Sequence, residues 1–592
     1  MLKTLVLSLA PVLLFSASPD DVLMRAMKDE LERSLKKLQL EKLEKPYFIA
    51  YKIVDTDTTN AAATFGAVTD GAQRRTRLLS VEVRVGSYTR DNTNFFTMRL
   101  NPAGVVRVFA DQGINTPLDD NYDEIRRQLW LATDSAYKQA LDDFAKKTAV
   151  LANRNRTDDS PDFFKEEATT NEERTTPAVV PLDTARNLVR ELSALFRSAK
   201  GIDHSAVRLT VTNTTTRFLN SEGTSYLRTA PLVHLNISAD AQASDGLPIT
   251  DSDSLYSRFL ADLPAKEQLA HRVRTLAQRV TALREAKLLE RYTGPVLFSG
   301  AAAAELLGQT LAPALVGLPR LVVEDPRFEN IFGADQGGLR ERLGSRILPT
   351  FLNVTDDASR TAYRGQTLFG GYQVDEDGVR ARPNQVVERG VFKNLLSSRA
   401  LVAGAAASTG NRRTAGTMPS NLIVEATNGV TDEELKQKLI ASVRERGLEF
   451  GILVRRLGNP TAPRPQGRMR VVSITIGGAG GGGGGGVPIE PIVEAYKVFA
   501  DGREELVRNL GIAGMTLANL KDITAASNEP FVYTGAYRNN RQNPFQAGGA
   551  IFANAPLVSL AVPSLLFDEL VLQRPVGEVP KLPFSAHPSF SN

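Results

Sequence analysis

Residues 206–241 read AVRLTVTNTTTRFLNSEGTSYLRTAPLVHLNISADA, and this stretch carries the clearest structural signal in the chain. Apolar side chains alternate with polar ones over 206–211 and again over 233–241, which is typical of half-buried β-strands. Between the two runs, residues 220–224 read Asn-Ser-Glu-Gly-Thr, which is the composition of a turn. The stretch therefore predicts two strands with a turn between them, in the middle of the chain.

Towards the N-terminus, helix patterns alternate with strand patterns. Asp20 and Asp21 are placed to cap a helix whose apolar stripe is formed by Leu23, Met27, Leu31, Leu35 and Leu38. Strands are predicted over 47–54 and 79–85, and helices over about 120–151 and from Asp183 onwards. Residues 19–200 are thus expected to form an α/β domain, in which the polar stretch 152–181 is a solvated loop or linker.

Towards the C-terminus, helices and strands continue in irregular order. The patterns predict helices over 265–291, 301–315 and 432–446, a short strand over 294–298, and a hairpin over 379–396 that turns at Glu388-Arg389-Gly390. The glycine run 480–486 predicts a flexible loop between two strands, since glycine cannot pack a side chain. The predicted fold class is α+β, in which the N-terminal α/β domain is followed by a larger domain, 201–575, of mixed or antiparallel sheets with helices, and then by a tail, 576–592.

The first 18 residues, MLKTLVLSLAPVLLFSAS, have the layout of a secretory signal peptide. Lys3 precedes an apolar run from Leu5 to Phe15, which is too short to span a bilayer, and small residues follow it. We therefore expect a secreted or periplasmic protein without stable membrane insertion after cleavage. The alternatives for this segment are a buried N-terminus and an uncleaved anchor.

Composition excludes several classes of site. The chain has 592 residues, 42% of them hydrophobic, and a net charge of only +4, so we expect no nucleic-acid partner. Cysteine is absent, which excludes disulfides, thiolate zinc ligands and a thiol nucleophile. The chain has four histidines, at positions 204, 234, 271 and 587, and no two of them have the spacing of ligands on one helix.

Three weaker patterns are better explained by structure than by chemistry. Ser-x-x-Lys occurs at 34–37 and 135–138, but both copies fall in predicted helices and lack the motifs that accompany a serine nucleophile. Asp375-Glu376-Asp377-Gly378 resembles the start of a calcium loop but lacks the later acidic ligands, which favours a hairpin turn.

Most of residues 200–572 resembles the TldD/TldE (PmbA) family, whose members are also called modulators of DNA gyrase. The resembling segments, which occur in family order, are FLNSEGT (218–224), GPVLFSGAAAAELLGQTLAPAL (294–315), GSRILPTFLNVTDD (344–357), GYQVDEDGVRARPNQVVERGVFKNLLSSRALV (371–402), STGNRRTAGTMPSNLIVE (408–425), EPIVEAYKVFADGREELVRNLGIAGMTLANLKDI (490–523) and APLVSLAVPSLLFDELVL (555–572). The resemblance implies a two-domain α+β protein related to zinc metallopeptidases that act on unfolded or extended peptides.

The same resemblance implies that this chain lacks the family's zinc ligands. Active members carry His-Glu-x-x-x-His on a central helix and a cysteine in the C-terminal part. Here Ala304 and Gln309 stand where the two histidines would be, only Glu305 matches, and no cysteine exists. We therefore expect no catalytic or metal-binding residue and no cofactor in this chain, with zinc only in a ligand-bearing partner subunit.

Three functions remain open on this evidence. The first is a non-catalytic, TldE-like subunit that pairs with a TldD-like paralogue and holds unfolded peptide by β-strand addition. The second is an active peptidase with relocated metal ligands. The third is a free-standing peptide-binding module of the cell envelope.

Overall fold

The computed structural model describes residues 21–574 except 41–42, 98, 101–105, 108–112, 154–159, 244, 320, 329–338, 401, 403–404, 406, 414–415, 459–488, 509 and 538–555. The α-helices of these residues are α1 (Val22–Lys37), α2 (Tyr122–Ala152), α3 (Leu182–Ala194), α4 (Lys266–Glu285), α5 (Ala301–Gln309), α6 (Leu311–Ala314) and α7 (Asp432–Glu445). The strands are β1 (Pro46–Thr64), β2 (Ala67–Val85), β3 (Phe95–Phe96), β4 (Arg99–Leu100), β5 (Val106–Arg107), β6 (Ile114–Asn115), β7 (Thr170–Glu173), β8 (His204–Asn220), β9 (Ser225–Gln242), β10 (Pro248–Ser257), β11 (Lys287–Leu288), β12 (Arg291–Phe298), β13 (Val322–Val323), β14 (Leu352–Asp357), β15 (Ala362–Tyr363), β16 (Gln366–Thr367), β17 (Pro383–Glu388), β18 (Val391–Phe392), β19 (Arg412–Arg413), β20 (Gly416–Thr417), β21 (Asn421–Ala426), β22 (Phe450–Leu457), β23 (Ile492–Phe499), β24 (Glu504–Arg508), β25 (Gly511–Ile512), β26 (Ile523–Ala526), β27 (Phe531–Ala536), β28 (Leu557–Val562) and β29 (Leu565–Gln573).

Three larger sheets organise the described part of the chain. The first has the order β10-β9-β8-β1-β2-β6, with β7 parallel to β9. The second has the order β11-β24-β23-β22-β12-β29-β25, with β26 beside β29. The third has the order β18-β17-β14-β21-β28-β27. Antiparallel pairs predominate and a few parallel pairs are mixed in, so the predicted α+β fold class is confirmed.

One face of the first sheet is covered by the four N-terminal helices. Odd-numbered apolar residues of β1 and β8 point to this face, because side chains alternate along a strand. At one end of the strands they pack on α1 and α2, and at the other end on α3 and α4. Even-numbered residues such as Phe48 and Phe218 point to the opposite face, where they contact Phe163 and Val374.

The largest core lies between the second and third sheets. It contains the apolar side chains of α5 and α6 together with residues of β12, β14, β22, β28 and β29. Helix α7 covers the other face of the second sheet through Leu435 and Leu439. Its N-terminus has the capping box that a Thr-x-x-Glu sequence predicts, formed by Thr431 and Glu434.

The first sheet continues across residue 200, where the sequence suggested a domain boundary. Strand β8 pairs with β1 over fourteen consecutive residues, from Ala50 to Ala63, and β9 and β10 extend the sheet from there. The sheet continues across residue 200 because the backbone of β8 needs a hydrogen-bonded partner strand, and β1 is that strand. The N-terminal sheet unit thus extends to Ser257.

The polar stretch 152–181 is not simply a solvated loop in its described part, which is a correction to the sequence interpretation. Lys147 lies 2.6 Å from Asp162, and both side chains are almost fully buried. Phe163 is also buried, between the guanidiniums of Arg84 and Arg399, at 3.6 and 4.0 Å from its ring centroid. These tertiary contacts, and the pairing of β7 with β9, hold the segment against the protein despite its composition.

Several local predictions are confirmed. Asp21 caps α1, and the hairpin turns at Arg389-Gly390, where both residues have positive φ. The predicted helix 301–315 is interrupted at Thr310, whose hydroxyl donates to the Leu306 carbonyl at 2.7 Å. The predicted signal peptide, the glycine run 480–486 and the tail 576–592 lie outside the described residues. Within the described residues, no helix has the length and apolarity required to cross a membrane.

Candidate functional site

Helix α5 carries the three positions at which the sequence resemblance would place a metal motif. The helix follows β12 after a turn at Gly300, which has a φ of 56°. Leu306, Leu307 and Leu311 are fully buried, as their apolar character predicts. The helix is therefore a core element of the C-terminal half, packed against β22, β27 and β28.

Glu305 is buried and hydrogen-bonded. Its side chain is 4% exposed, and Oε2 accepts a hydrogen bond from the backbone amide of Leu457 at 2.7 Å. Burial raises the pKa of Glu305 to about 7, although Arg456 and the Leu457 amide act in the opposite direction. The carboxyl thus changes its protonation state near neutral pH, and one of its oxygens is already committed to the backbone.

Gln309 joins the two chain segments that flank residues 459–488. Its Nε2 donates to the Gly458 carbonyl at 3.1 Å, and its Oε1 accepts from the Glu490 amide at 2.8 Å. Ala304, one turn earlier, is fully buried and has no donor atom in its side chain. Ala304 therefore contributes to packing, and Gln309 provides hydrogen-bond partners for two backbone groups.

A cluster of buried charges lies beside Glu305 and joins the first sheet to the second. Asp251 of β10 contacts Arg279 of α4 at 2.5 Å and Arg456 of β22 at 3.5 Å. Arg279 also lies 3.7 Å from Glu494 of β23. The two positive guanidiniums balance the two negative carboxylates of Asp251 and Glu494. The whole group is therefore neutral when Glu305 is protonated.

The residues at this site do not fit a zinc ion. Zinc needs three or four convergent nitrogen, sulfur or oxygen donors. Ala304 offers none, and both polar atoms of Gln309 and one oxygen of Glu305 have backbone partners. In the described part of the chain, no group of three or more histidine, aspartate or glutamate side chains is arranged to hold a metal.

The structure does not bring the described histidines together. His234 stacks on Tyr256 at 4.4 Å, and burial lowers its pKa to about 4. His204 lies 3.5 Å from Asp240, and His271 is exposed on α4. The fourth, at position 587, lies outside the described residues. Each described histidine thus has a separate structural environment.

The weaker sequence patterns also have structural roles. Ser34 is buried and bonds to the Tyr51 hydroxyl, whereas Ser135 is exposed on α2. Asp375 forms the predicted turn, because one of its oxygens accepts from the amides of Asp377 and Val379, each at 2.9 Å. Burial and the nearby Asp377 raise the pKa of Asp375, which suits a carboxyl enclosed by backbone amides.

Sequence reasoning missed the charge cluster around Asp251 and Arg456. The available signal was an arginine pair, Arg455-Arg456, within the otherwise apolar strand β22. Their burial differs, because side chains on a strand alternate: Arg455 is exposed, whereas Arg456 points inwards to Asp251. The identity of its partner depends on the pairing of distant elements, which local patterns do not reveal.

Comparisons with known proteins agree with this architecture. Residues 291–467 match a family model described as the PmbA/TldA metallopeptidase C-terminal domain. No curated protein matches the chain. A candidate modulator of DNA gyrase from Thermotoga maritima superposes with a TM-score of 0.57 and 14% identity, covering 93% of this chain and 99% of that one. TldE from Thermococcus kodakarensis superposes with a TM-score of 0.57 and 15% identity, covering 92% of this chain and 99% of that one. A candidate modulator of DNA gyrase from Bacteroides thetaiotaomicron superposes with a TM-score of 0.57 and 13% identity, covering 93% of this chain and 98% of that one. At these identities the structural likeness establishes a shared fold.

Proposed function

Because this chain belongs to the TldD/TldE (PmbA) family, we propose that it is an exported, non-catalytic subunit of a metallopeptidase assembly that acts on unfolded or extended peptides. Membership rests on the family match over 291–467 and on the fold shared with the three solved structures. The absence of catalysis, the partner and the export are the parts that this proposal adds.

The observation that carries the proposal is the environment of the metal-motif positions on α5. Ala304 and Gln309 replace both histidines, and Gln309 uses its amide to bond the backbone on either side of 459–488. Glu305 is retained, but its carboxyl accepts a hydrogen bond from the Leu457 amide. A helix whose polar groups are engaged in this way supports a structural role for the motif.

The chemistry of the whole chain points in the same direction. The family's third ligand is a cysteine, and the chain contains none. Three protein ligands are therefore missing together, so a single compensating side chain would not restore a tetrahedral zinc site. A ligand-bearing, TldD-like paralogue is the simplest source of catalysis in the assembly, and a neighbouring gene that carries His-Glu-x-x-x-His would support it.

The test is to produce the tagged chain together with that paralogue from the same organism. We expect a complex that survives size-exclusion chromatography and cleaves an unfolded peptide, with a chelator abolishing the cleavage. A paralogue with both motif histidines replaced by alanine is the matched control, since it should assemble but not cleave. Failure to assemble would favour a free-standing peptide-binding module, and chelator-sensitive cleavage by this chain alone would favour relocated ligands.

Export is tested separately, because the segment that suggests it lies outside the described residues. The motive is Lys3 followed by the short apolar run from Leu5 to Phe15. N-terminal sequencing of protein from the native host should give a start between Pro19 and Val22. Recovery of an intact Met1 would contradict export by cleavage.

A further inference from the structure

Three arginines from separate elements converge on the backbone segment Phe369–Val374. Arg228 lies on β9, Arg258 follows β10 directly, and Arg413 lies on β19. The Arg258 guanidinium lies over the ring of Phe369, 5.2 Å from its centroid. All three residues have intermediate exposure. We call these three residues the arginine cluster.

The cluster is held by backbone carbonyls and aromatic rings. Arg228 donates to the Val374 carbonyl at 3.0 Å, and Arg413 donates to the Gly370 carbonyl at 3.2 Å. The Arg413 guanidinium also lies 5.0 Å from the centroid of the Tyr372 ring. These contacts fix the guanidiniums but neutralise no charge, because carbonyls and rings are uncharged.

Within the described residues, none of the three guanidiniums has a carboxylate oxygen at ion-pair distance, 4.0 Å or less. Other described arginines of low exposure do have one. Arg399 lies 2.8 Å from Glu222, and Arg279 lies 2.5 Å from Asp251. A guanidinium of low exposure without an anion is unusual, because loss of water around a charge is unfavourable unless an opposite charge replaces it.

The acids that act on these arginines through space are engaged elsewhere. Asp356, which acts on Arg413, accepts hydrogen bonds from Asn411 and Ser420. Glu376 pairs with Lys52 at 2.9 Å. Glu173 is opposite Arg228 in the β7–β9 register, and its Oε1 accepts from Asn171 at 2.9 Å. Glu376 and Glu173 act on the cluster through space without closing an ion pair, so the remaining donors of the guanidiniums contact no carboxylate of the described residues.

The pKa shifts agree with an incompletely compensated charge at two of the three positions. Burial lowers the pKa of Arg258 although Glu173 opposes the shift. Burial and Arg228 lower the pKa of Arg413, and Tyr372, Glu376 and Asp356 oppose this only in part. Burial acts on Arg228 in the same direction, but Tyr226 and Glu376 outweigh it and raise its pKa. An arriving anion would therefore gain most from Arg258 and Arg413.

We propose that the arginine cluster binds a carboxylate of an extended peptide. Guanidinium pairs carboxylate in a planar, two-bond geometry, which suits a terminal carboxylate or an acidic side chain. This inference rests on the proposed function, since it names the part of the peptide that the subunit would recognise. It assigns to this non-catalytic chain a role in selecting and orienting substrate.

The position of β10 relates the cluster to helix α5. Asp251, near the start of β10, contacts Arg456 beside Glu305, whereas Arg258 follows the end of the same strand. At about 3.3 Å per residue, these positions are about 23 Å apart along the strand. Between them Tyr256 links the ring of His234 at 4.4 Å to that of Phe369 at 6.2 Å.

The test uses the full chain and three fluorescein-labelled versions of one unstructured decapeptide: a free acid, a C-terminal amide, and an amide with one internal glutamate. Fluorescence anisotropy gives the three affinities. The variants are Arg258→Gln and the double variant Arg258→Gln/Arg413→Gln. Arg258→Gln alone guards against misfolding, because among the described residues the Arg258 side chain makes one hydrogen bond, to the Pro231 carbonyl at 3.4 Å. Arg274→Gln is the matched control, since Arg274 is an exposed arginine on α4.

We expect the free acid to bind at least tenfold more tightly than the amide, with this preference lost in the double variant, reduced in Arg258→Gln and kept in Arg274→Gln. Recovery of affinity by the internal glutamate would also support the site and identify an acidic side chain as its ligand. Equal affinity for all three peptides, binding of none of them, or a carboxylate preference that survives the double variant would overturn it. If inorganic phosphate stabilises the wild type but no peptide binds, the site takes a free anion and the proposal of a peptide ligand is refuted. Assembly with the paralogue is measured separately, so a chain that assembles without carboxylate preference refutes only this inference.

Discussion

At the residue scale, Glu305 shows which properties of a side chain the sequence can predict. Its place among leucines predicts that a hydrogen bond or a cation neutralises the carboxyl if the side chain is buried. The contact itself is the Leu457 amide, 152 positions away in the chain, and it depends on how β22 packs against α5. Neighbours of that kind are set by tertiary pairing, so the sequence predicts that a buried Glu305 needs a partner but does not identify that partner.

The raised pKa of Glu305 predicts a pH-dependent stability. The folded pKa is about 7, above the usual 4.5 of a glutamate, so the folded state holds the proton more tightly than the unfolded state does. This stabilisation is complete below pH 4.5 and is lost as the pH rises through 7. The free energy of unfolding falls by about 3 kcal/mol in total. Urea unfolding at pH 5 and pH 8 should show this decline in the wild type and a smaller one in Glu305→Gln. An equal decline in both proteins would contradict the assignment.

Glu305→Gln should also leave peptide cleavage by the assembly nearly unchanged. The glutamine carbonyl can still accept from the Leu457 amide, and the variant removes only the ionisable group. Initial rates of the wild-type and variant complexes, measured with one peptide, provide the check. A loss of a hundredfold or more would show that this carboxyl takes part in catalysis.

Gln309→Ala should destabilise the chain by about 1–3 kcal/mol. The substitution removes two hydrogen bonds and leaves the Gly458 carbonyl and the Glu490 amide without that partner in a region of low exposure. Urea unfolding at pH 7 measures the loss. Gln437→Ala is the control, because Gln437 is exposed on α7 and bonds only to Glu433 among the described residues. Equal effects of the two substitutions would refute a bracing role for Gln309.

At the scale of elements, strands with a regular apolar pattern were predicted well. Polar segments that are buried because distant residues pair with their charges were not. The alternation in β8 and β9 gave their buried residues correctly, because one face of a sheet must be apolar. The stretch that contains Asp162 and Phe163 was expected to be solvated. Its burial depends on Lys147 and on two arginines from distant elements, and this compensation is invisible to composition.

The segment Phe369–Val374 gives a prediction at this scale. A Cβ on Gly370 would lie 2.1 Å from the Ser420 carbonyl oxygen, so any side chain there must displace backbone. Gly370→Ala should destabilise the protein by more than about 3 kcal/mol. Gly344→Ala is the comparison: no atom of the described residues lies within 4 Å of the added Cβ, so the positive φ of 77° is the unfavourable factor, at about 1 kcal/mol. Thermal unfolding that ranks the two variants in the opposite order would contradict the close packing of this segment.

At the scale of the whole molecule, the sequence predicted the α+β class and the family but not how the halves join. Asp251, Arg279, Arg456 and Glu494 come from two sheets and one helix, and only the folded chain brings them together. The domain boundary at residue 200 was likewise expected without knowledge of which strands pair. Strand patterns show where strands lie, whereas the partner of each strand is a property of the fold.

The zinc content of the purified full chain tests the central claim most directly. The claim is that the positions of Ala304, Glu305 and Gln309 have become structural, so that the chain contributes no metal site of its own. After incubation with zinc and desalting, elemental analysis should give well below one zinc per chain, and the chain alone should not cleave an unfolded peptide. About one zinc per chain, together with cleavage that a chelator abolishes, would contradict the claim and establish a relocated metal site.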